Sequence, residues 1–287
     1  MSLSAFHINW TKPFAARHPD AAYMIEPFEL LTTALSALYW QKANGSIRMI
    51  CDSTAKRYYD TLGLSFLWDD GIYPLLDTIP SDINPIAFWA AGKLYALAAM
   101  PCPCVMIDTD FIVWKPIAPL VDGLSLAAIH REDIMPDIYP GPEAFCQAHG
   151  FDFSMLDWTV RPFNTALAYF ADDDFRKFYT DTAIRFMRSA PDVDDILTYM
   201  VFAEQRLLAM CAAHKHIPAA ALSYLPALFD GAQQGYFTHI WGFKQQMRDS
   251  DMLYHDFCSR CAARLMRDFP QEAKHLAGIP PLSQYFS

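Results

Sequence analysis

Two carboxylates stand one residue apart near the middle of the chain, directly after an apolar run. Residues 105–107 are apolar, Asp108-Thr109-Asp110 follows, and the chain is apolar again at 111–113. On an extended backbone, side chains at positions i and i+2 point to the same side, so both carboxylates can approach one hard cation. Such acids are costly to desolvate unless a partner compensates their charge. The pattern favours a cation site, although an isolated pair of acids is also typical of a solvated strand end.

The composition of the chain limits the classes of partner. Of its 287 residues, 53% are hydrophobic and 15% are aromatic, which is enough for a substantial core. The net charge of −10 argues against nucleic acid as a main partner, because phosphate backbones are bound by an excess of Lys and Arg. A small phosphate-bearing molecule is still compatible with this charge if a divalent ion and a few local cations offset the field.

The start of the chain and its cysteines indicate a cytoplasmic protein. Residues 1–10 lack the basic and apolar regions of a secretory signal. The most apolar stretch, residues 86–112, is interrupted by charged residues and prolines and is predicted to be core rather than a membrane span. Seven cysteines do not suit a complete disulfide framework and fit a reducing compartment. We expect a cytoplasmic protein whose contact with the inner face of a membrane would be peripheral at most.

Strands and helices are predicted to alternate along the chain. The predicted strands are 6–10, 47–51, 66–68, 105–107, 124–130, 165–170 and 236–241, and the predicted helices are 27–43, 53–62, 85–100, 172–188, 194–214 and 255–268. This alternation indicates a largely parallel sheet with helices on both faces. Ligands of such sheets bind beyond the carboxyl ends of the strands, where Asp52 and Asp108 would lie. The chain is predicted as one domain, residues 1–287.

Four short motifs resemble the GT-A-fold glycosyltransferases, nearest in pattern to family 8 and its retaining relatives. In chain order they are Lys93 ahead of Asp108-Thr109-Asp110, Asn164 at a strand start, Glu204-Gln205 on a helix, and His239-Ile240-Trp241-Gly242 followed by Lys244. The resemblance covers about residues 5–248. It implies a Rossmann-like α/β fold of GT-A type, with a nucleotide-binding half (1–122), a donor-sugar and acceptor half (123–250) and a helical C-terminal extension (251–287).

The resemblance also implies a metal site. Transfer of a sugar from a nucleoside diphosphate requires the diphosphate to leave as an anion, whose charge Mn²⁺ or Mg²⁺ stabilises. Asp110 and His239 are the expected direct ligands, with Asp108 reaching the metal or the ribose. Because imidazole binds a metal only when it is neutral, we expect metal affinity to decline below about pH 6.5. Lys93 and Lys244 are expected to neutralise phosphate charge.

The other candidates are expected to contact the sugar or the base. Asn164 and Gln205 can donate to and accept from sugar hydroxyls, and Gln205 joins Asp108, Asp110 and Glu204 as a catalytic candidate. Three alternatives stay open for the roles of single residues. Asp52 either accepts from the base or caps a helix, Glu204 either belongs to the site or lies on an exposed helix face, and Arg248 could replace Lys244 as the phosphate contact. Gly242 is expected to let the backbone turn sharply after the strand that carries His239.

The expected function is transfer of a hexose from a nucleotide sugar, most plausibly a UDP-sugar, to a carbohydrate or glycolipid acceptor. Similarity to family 8 favours retention; an inverting reaction would need a carboxylate base, for which Asp157, Asp194 and Glu204 are candidates. One alternative is a non-catalytic sugar-nucleotide or carbohydrate-binding protein on the same fold. A nucleotidyltransferase would require a Gly-rich N-terminal loop, and residues 6–17 contain no Gly. A HAD-type phosphatase would carry its paired acids near the N-terminus.

Overall fold

The computed structural model describes residues 2–190, 192–229 and 235–286. Nine strands occur within them: β1 (Ala5–Asn9), β2 (Ile47–Cys51), β3 (Ile72–Tyr73), β4 (Cys104–Ile107), β5 (Phe111–Val113), β6 (Leu126–Arg131), β7 (Phe163–Phe170), β8 (Ala219–Ala221) and β9 (Phe237–His239). Seven of these strands form one sheet in the order β3-β2-β1-β4-β7-β6-β8, and β5 pairs with β9 in a separate two-stranded ribbon.

Most neighbours in the seven-stranded sheet are parallel. The pairs β1–β2, β1–β4, β2–β3 and β6–β8 are parallel, whereas β7 runs antiparallel between β4 and β6. The predicted largely parallel sheet is therefore confirmed. Parallel neighbours bring their carboxyl ends to one edge, which places the end of β4 next to the end of β1.

Helices cover both faces of this sheet. They are α1 (Lys12–Arg17), α2 (Pro27–Ala43), α3 (Ser53–Thr61), α4 (Ala91–Ala99), α5 (Ala118–Val121), α6 (Asp173–Ser189), α7 (Thr198–Val201), α8 (Leu207–His214), α9 (Leu225–Phe229), α10 (Lys244–Arg248), α11 (Asp251–Asp268) and α12 (Pro270–Ala277). The core side chains of α2 and α11 belong to one hydrophobic cluster, and those of α4, α6 and α8 belong to another.

The two clusters follow from the alternation of side chains along each strand. In β4, Val105 and Ile107 pack into the cluster of α2, whereas Cys104 and Met106 pack into the cluster of α4. All four side chains are buried, as expected of a strand that is covered on both faces. The predicted α/β class, with helices on both faces and a helical C-terminal end, is confirmed.

Several predicted boundaries were wrong. Residues 65–67 form a short 3-10 helix instead of a third strand, and the strand follows at Ile72–Tyr73. The helix predicted from residue 85 begins at Ala91 because Asn84 caps a separate turn, where its Oδ1 accepts from the backbone N–H groups of Ile86 and Ala87. The helix predicted from residue 194 begins at Thr198.

The C-terminal helix α11 packs on the body of the protein. Tyr254 and Phe257 approach the ring of Phe28 on α2 edge-on, with ring centroids 5.6 and 6.5 Å apart. This agrees with a packed helix, which the amphipathic sequence favoured over one that lies on a membrane. Among the residues that the structure describes, no helix combines the length and apolar character needed to cross a bilayer.

Candidate metal centre

The paired carboxylates lie in a turn between β4 and β5. Asp108 follows the last residue of β4, and its carbonyl accepts from the backbone N–H of Phe111 at 3.0 Å. The backbone N–H of Asp108 donates to the carbonyl of Ala166 on β7 at 2.8 Å. The prediction that both acids stand on an extended strand was therefore wrong, and the turn is what brings their side chains together.

The ribbon of β5 and β9 carries His239 to these acids. Phe111 pairs with His239 in its register, and the backbone N–H of Ile240 donates to the carbonyl of Asp110 at 3.3 Å. One ligand atom from each of Asp108, Asp110 and His239 lies within 4.8 Å of the others. Two carboxylates and one imidazole at this spacing form a donor set that fits a divalent transition metal such as Mn²⁺.

Two lysines contact the carboxylates of this group. The Nζ of Lys93, on α4, lies 2.6 Å from Asp108 Oδ1 and 2.7 Å from Glu204 Oε1. The Nζ of Lys244, at the start of α10, lies 3.0 Å from Asp110 Oδ2 and 3.4 Å from Glu29 Oε1. Both lysines, expected as phosphate contacts, lie beside the carboxylates of this candidate group.

Glu204 and Gln205 lie on a π-helical turn, Phe202–Arg206, between α7 and α8. The side chain of Glu204 is only 1% exposed and accepts from Thr165 Oγ1 in addition to Lys93. The alternative that Glu204 lies on an exposed helix face was wrong. A π turn widens the helix by one residue and occurs frequently at functional sites. The sequence pattern of residues 194–214 contained no signal for it.

Arg206, on the same π turn, is a residue that sequence reasoning missed. It is buried, and its guanidinium donates to the carbonyls of Tyr139, Pro140 and Trp158. It thereby holds the loop between β6 and β7 against the helix. The available signal was an arginine within an otherwise apolar helical stretch, since a buried arginine must find several acceptors.

Eight of the ten predicted site residues line one cavity of about 490 Å³. Its lining includes Lys93, Asp108, Asp110, Asn164, Glu204, Gln205, His239 and Lys244, together with the unpredicted Glu132 and Tyr139. Asn164 Nδ2 donates to Glu132 Oε1 at 2.9 Å, and Gln205 Oε1 accepts from the hydroxyl of Tyr139. Apolar side chains complete the wall, namely Trp89, Met135, Leu197 and Trp241.

Other candidates lie elsewhere. Asp52 caps α3, where its carboxylate accepts from the backbone N–H of Ala55 and from both the N–H and hydroxyl of Thr11. The cap alternative thus describes Asp52, which is not among the described residues that line the cavity. Arg248 pairs with Glu26. Gly242 lies in the 3-10 turn Trp241–Phe243 and is not among the glycines with a positive φ.

The two candidate bases on loops also stand apart from the cavity. Asp157 and Asp194 are exposed, and neither is among its described lining residues. Asp157 accepts from the N–H and the hydroxyl of Thr159 within its own loop. Of the three carboxylates considered as a base, only Glu204 lies in the cavity.

Burial and neighbouring charges set the protonation of the metal-binding group. Burial raises the pKa of Asp108 to about 7, although Lys93 opposes this. Burial acts in the same sense on Asp110, but Lys244 and His239 outweigh it and lower the pKa of that carboxyl. Burial lowers the pKa of His239 to about 4, with Asp110 opposing. His239 is therefore neutral at pH 6.5, which moves the expected loss of metal affinity through this imidazole to lower pH.

No protein-family model matches this chain, and no curated protein matches it. Among solved structures, mouse xyloside xylosyltransferase 1 is similar with a TM-score of 0.39 and 9% identity over 77% of this chain and 85% of that chain. The galactosyltransferase LgtC, solved with donor and acceptor sugar analogues, has a TM-score of 0.41 and 13% identity over 77% and 73% of the two chains. The PaToxG glycosyltransferase has a TM-score of 0.40 and 11% identity over 100% and 86%.

Proposed function

We propose that this protein is a metal-dependent glycosyltransferase of GT-A type that uses a nucleoside-diphosphate sugar, with UDP-sugars as the preferred donors. The observation that carries the proposal is the convergence of Asp108, Asp110 and His239, with ligand atoms within 4.8 Å of one another, beside two partly buried lysines, Lys93 and Lys244. A bound Mn²⁺ or Mg²⁺ would supply a Lewis acid for the leaving diphosphate.

The chain's own residues give this site its preference for a diphosphate. Four carboxylates, those of Asp108, Asp110, Glu204 and Glu29, face the two lysines, so the group keeps a net negative charge even when Asp108 is protonated, and a divalent cation offsets that charge. Burial lowers the pKa of Lys93, but Asp108 and Glu204 outweigh that effect and hold it above the usual value. Both lysines therefore stay charged at neutral pH and can offset phosphate charge without proton transfer.

The amides on the opposite wall of the cavity suit recognition of a sugar. Asn164 Oδ1 accepts from the backbone N–H of Ala166 at 3.0 Å, which fixes the side chain and directs its amide nitrogen to Glu132. Gln205 is held in the same way by Tyr139. Fixed amide and carboxylate groups can pair with several hydroxyls at once, which is how a site selects a sugar over a bare diphosphate.

The halves of the chain contribute differently to this proposed site. Residues 1–122 supply both acids and Lys93, and residues 123–250 supply the amides, Glu204, His239 and Lys244. We assign both acids, His239 and the two lysines to the metal and the diphosphate. We assign the amides and Glu204 to the donor sugar and to a carbohydrate or glycolipid acceptor. The seven cysteines are all unpaired, which supports a location in the reducing cytoplasm.

The proposal is tested by titrating the protein with UDP in Mn²⁺, in Mg²⁺ and in EDTA, and by a thermal-shift panel of UDP-, GDP-, CMP- and dTDP-sugars. A donor present at a hundred times its dissociation constant should add about 2.7 kcal/mol of apparent stability in Mn²⁺. Equal binding of UDP in Mn²⁺ and in EDTA would contradict the metal site. Metal-dependent binding without donor hydrolysis or transfer to any acceptor would instead favour the non-catalytic binding protein.

Asn164→Ala separates recognition of the sugar from recognition of the nucleotide. We expect UDP-sugar affinity to fall about tenfold while free UDP binds as in the wild type, because a site that has lost one fixed hydrogen-bonding partner loses roughly 1–2 kcal/mol. Free UDP serves as the internal control for folding. Equal losses for both ligands would show that Asn164 only supports the strand.

A further inference from the structure

A second cavity lies on the other side of the β5–β9 ribbon. It encloses about 860 Å³ between the ribbon and α11. Strand alternation separates it from the metal centre, because Thr238 and Ile240 line this cavity, whereas His239, between them in the chain, is a metal-binding candidate on the other side.

The cavity has an apolar floor and a cationic rim. Leu35, Ile112 and Phe257 contribute to the floor, and Trp114 stands beside them. The rim consists of four cations, Lys115, Arg260, Arg264 and Arg267. This grouping is unexpected in a chain whose net charge is −10, because the average surface of such a protein repels anions.

The carboxylates near the rim do not balance its charge. Arg264 and Arg267 share Asp268, at 2.6 and 2.9 Å. Arg260 pairs with Asp256 at 2.9 Å, but the two side chains are 70% and 59% exposed, so water can replace this contact at little cost.

Lys115 completes the excess of positive charge. Its Nζ stands 4.9 Å from the centre of the Tyr236 ring. Within the part of the chain that the structure describes, it has no carboxylate at ion-pair distance. Among the residues that the structure describes, four cations therefore face two carboxylates, which leaves charge available for an anionic ligand.

We propose that this cavity binds an anionic amphiphile, whose apolar chain lies on the floor and whose carboxylate or phosphate lies among the rim cations. The volume falls within the range of about 300–1,000 Å³ that is usual for small-molecule sites. An apolar ligand without charge leaves the cations unpaired, and a small anion without a chain leaves the floor exposed to water. The site is independent of the metal centre and of the proposed transferase activity.

The direct test is calorimetric titration with dodecyl phosphate below its critical micelle concentration, in EDTA so that no metal can hold the phosphate. We expect one molecule to bind per chain, and the neutral detergent dodecyl maltoside to bind at least tenfold more weakly. A brominated fatty acid should quench the fluorescence of Trp114, and Trp114→Phe should remove that quenching. Equal binding of the neutral detergent, or quenching that survives in Trp114→Phe, would overturn the proposal.

Variants at the rim localise the binding. Lys115→Gln combined with Arg260→Gln should weaken dodecyl phosphate about three- to tenfold, since each exposed charge contributes modestly. Lys177→Gln is the matched control, because it removes a cation that is 69% exposed and paired with Asp181 in the same i, i+4 manner on another helix. If the control and the double variant lose affinity equally, the binding is a general charge effect and the proposal fails.

A steric variant tests the site without touching its charge. Ala263 is exposed at the cavity wall, so Ala263→Phe should obstruct the cavity and leave the core intact. Its binding of dodecyl phosphate should fall at least tenfold, with the melting temperature unchanged.

Sedimentation with phosphatidylglycerol vesicles identifies the source of the amphiphile. Vesicle binding that is lost in Ala263→Phe points to a membrane lipid, and the absence of vesicle binding points to a free amphiphile. Vesicle binding without any binding of monomeric dodecyl phosphate would overturn the cavity assignment.

Discussion

The two faces of the β5–β9 ribbon hold charges of opposite sign in different ways. On the acidic face, Asp108 and Asp110 are packed against lysines and a histidine, and their side chains are 24% and 9% exposed. On the basic face, the side chains of Arg260, Arg264 and Arg267 are 70%, 41% and 63% exposed beside an apolar floor. The ribbon is only three residues long on each strand, so residues adjacent in sequence serve the two sides.

The two faces differ in how firmly their ion pairs fix the charged side chains in place. The ion pairs of the acidic face join side chains that are at most 30% exposed, which cannot relax without losing stability and so keep their geometry for a ligand. The arginines of the basic face are themselves exposed, and the pair of Arg260 with Asp256 exchanges readily with water, so Arg260 can turn toward an anion at little cost. We therefore expect changes on the acidic face to alter stability and geometry together, and changes on the basic face to alter affinity alone.

The largest expected difference between the two faces is how much a substitution lowers the free energy of unfolding. Glu204→Ala leaves the buried Lys93 with one carboxylate fewer and Thr165 without its acceptor, so we expect a loss of about 3 kcal/mol in the free energy of unfolding. Arg260→Gln, the counterpart on the basic face, should change that free energy by less than about 0.5 kcal/mol. Urea unfolding of both variants measures the difference, and similar losses would show that the rim is as rigid as the acidic group.

The next largest expected difference is in ligand affinity, because a substitution on one face should weaken the ligand of that face alone. Asp110→Asn removes one carboxylate ligand and leaves Lys244 with Glu29, so we expect Mn²⁺ affinity to fall at least about a hundredfold while the chain still folds. Titration of Mn²⁺ followed by calorimetry gives the loss. Dodecyl phosphate binding in EDTA should be unchanged in the same variant. A simultaneous loss of both ligands would show that the two cavities are not independent.

His239 and its neighbour Thr238 on β9 allow the two faces to be compared with substitutions one residue apart. His239→Ala should weaken Mn²⁺ about tenfold or more, and should weaken Mn²⁺-dependent UDP binding by a margin comparable to Asp110→Asn. Thr238→Ser is the matched control on the opposite face, because serine keeps the hydroxyl that accepts from Trp114 Nε1 at 2.8 Å. An unchanged Mn²⁺ titration in folded His239→Ala would remove the imidazole from the metal site.

Local signals predicted the first part of the fold well. Pro27 begins α2, Asp52 caps α3, and the strand between them, β2, begins and ends at the predicted residues. These features depend on residues within one turn of each other, so the sequence displays them directly. The third strand was misplaced because the true one is only two residues long and has no periodicity to detect.

The sequence named most of the residues that line the candidate cavity, but not their burial or their pKa values. The order of motifs brought Lys93, Asp108, Glu204 and His239 into one hypothesis, and the structure places them together. Burial of Glu204 and the low pKa of His239 could not be inferred, because both depend on contacts between distant segments. Lys93 and Glu204, for example, are 111 positions apart in the chain. The π turn was equally invisible, since it follows from how that helix packs.

The smallest expected effect concerns His7, which sequence reasoning treated as an ordinary histidine. It lies behind the acidic face and is linked to β5 through Ser36. Its Nε2 lies 2.9 Å from Ser36 Oγ, and that hydroxyl donates to the carbonyl of Phe111, the first residue of β5. Nδ1 accepts from Trp68 Nε1 at 3.2 Å, so the neutral imidazole is fully hydrogen-bonded and has no place for a second proton.

This arrangement makes stability depend on pH in a defined direction. Burial lowers the pKa of His7 from 6.5 to about 3, so below pH 6.5 the unfolded chain takes up a proton that the folded chain does not. The stabilisation is complete above pH 6.5, and His7 should contribute a decline of up to about 1.4 kcal/mol per pH unit as the pH falls. Urea unfolding between pH 6.5 and pH 4.5 should therefore give a slope that is shallower by this amount in His7→Gln, although that variant is less stable at neutral pH. If His7→Gln keeps the wild-type slope, the imidazole is protonated in the folded chain, and the side chain that packs behind β5 is charged rather than neutral.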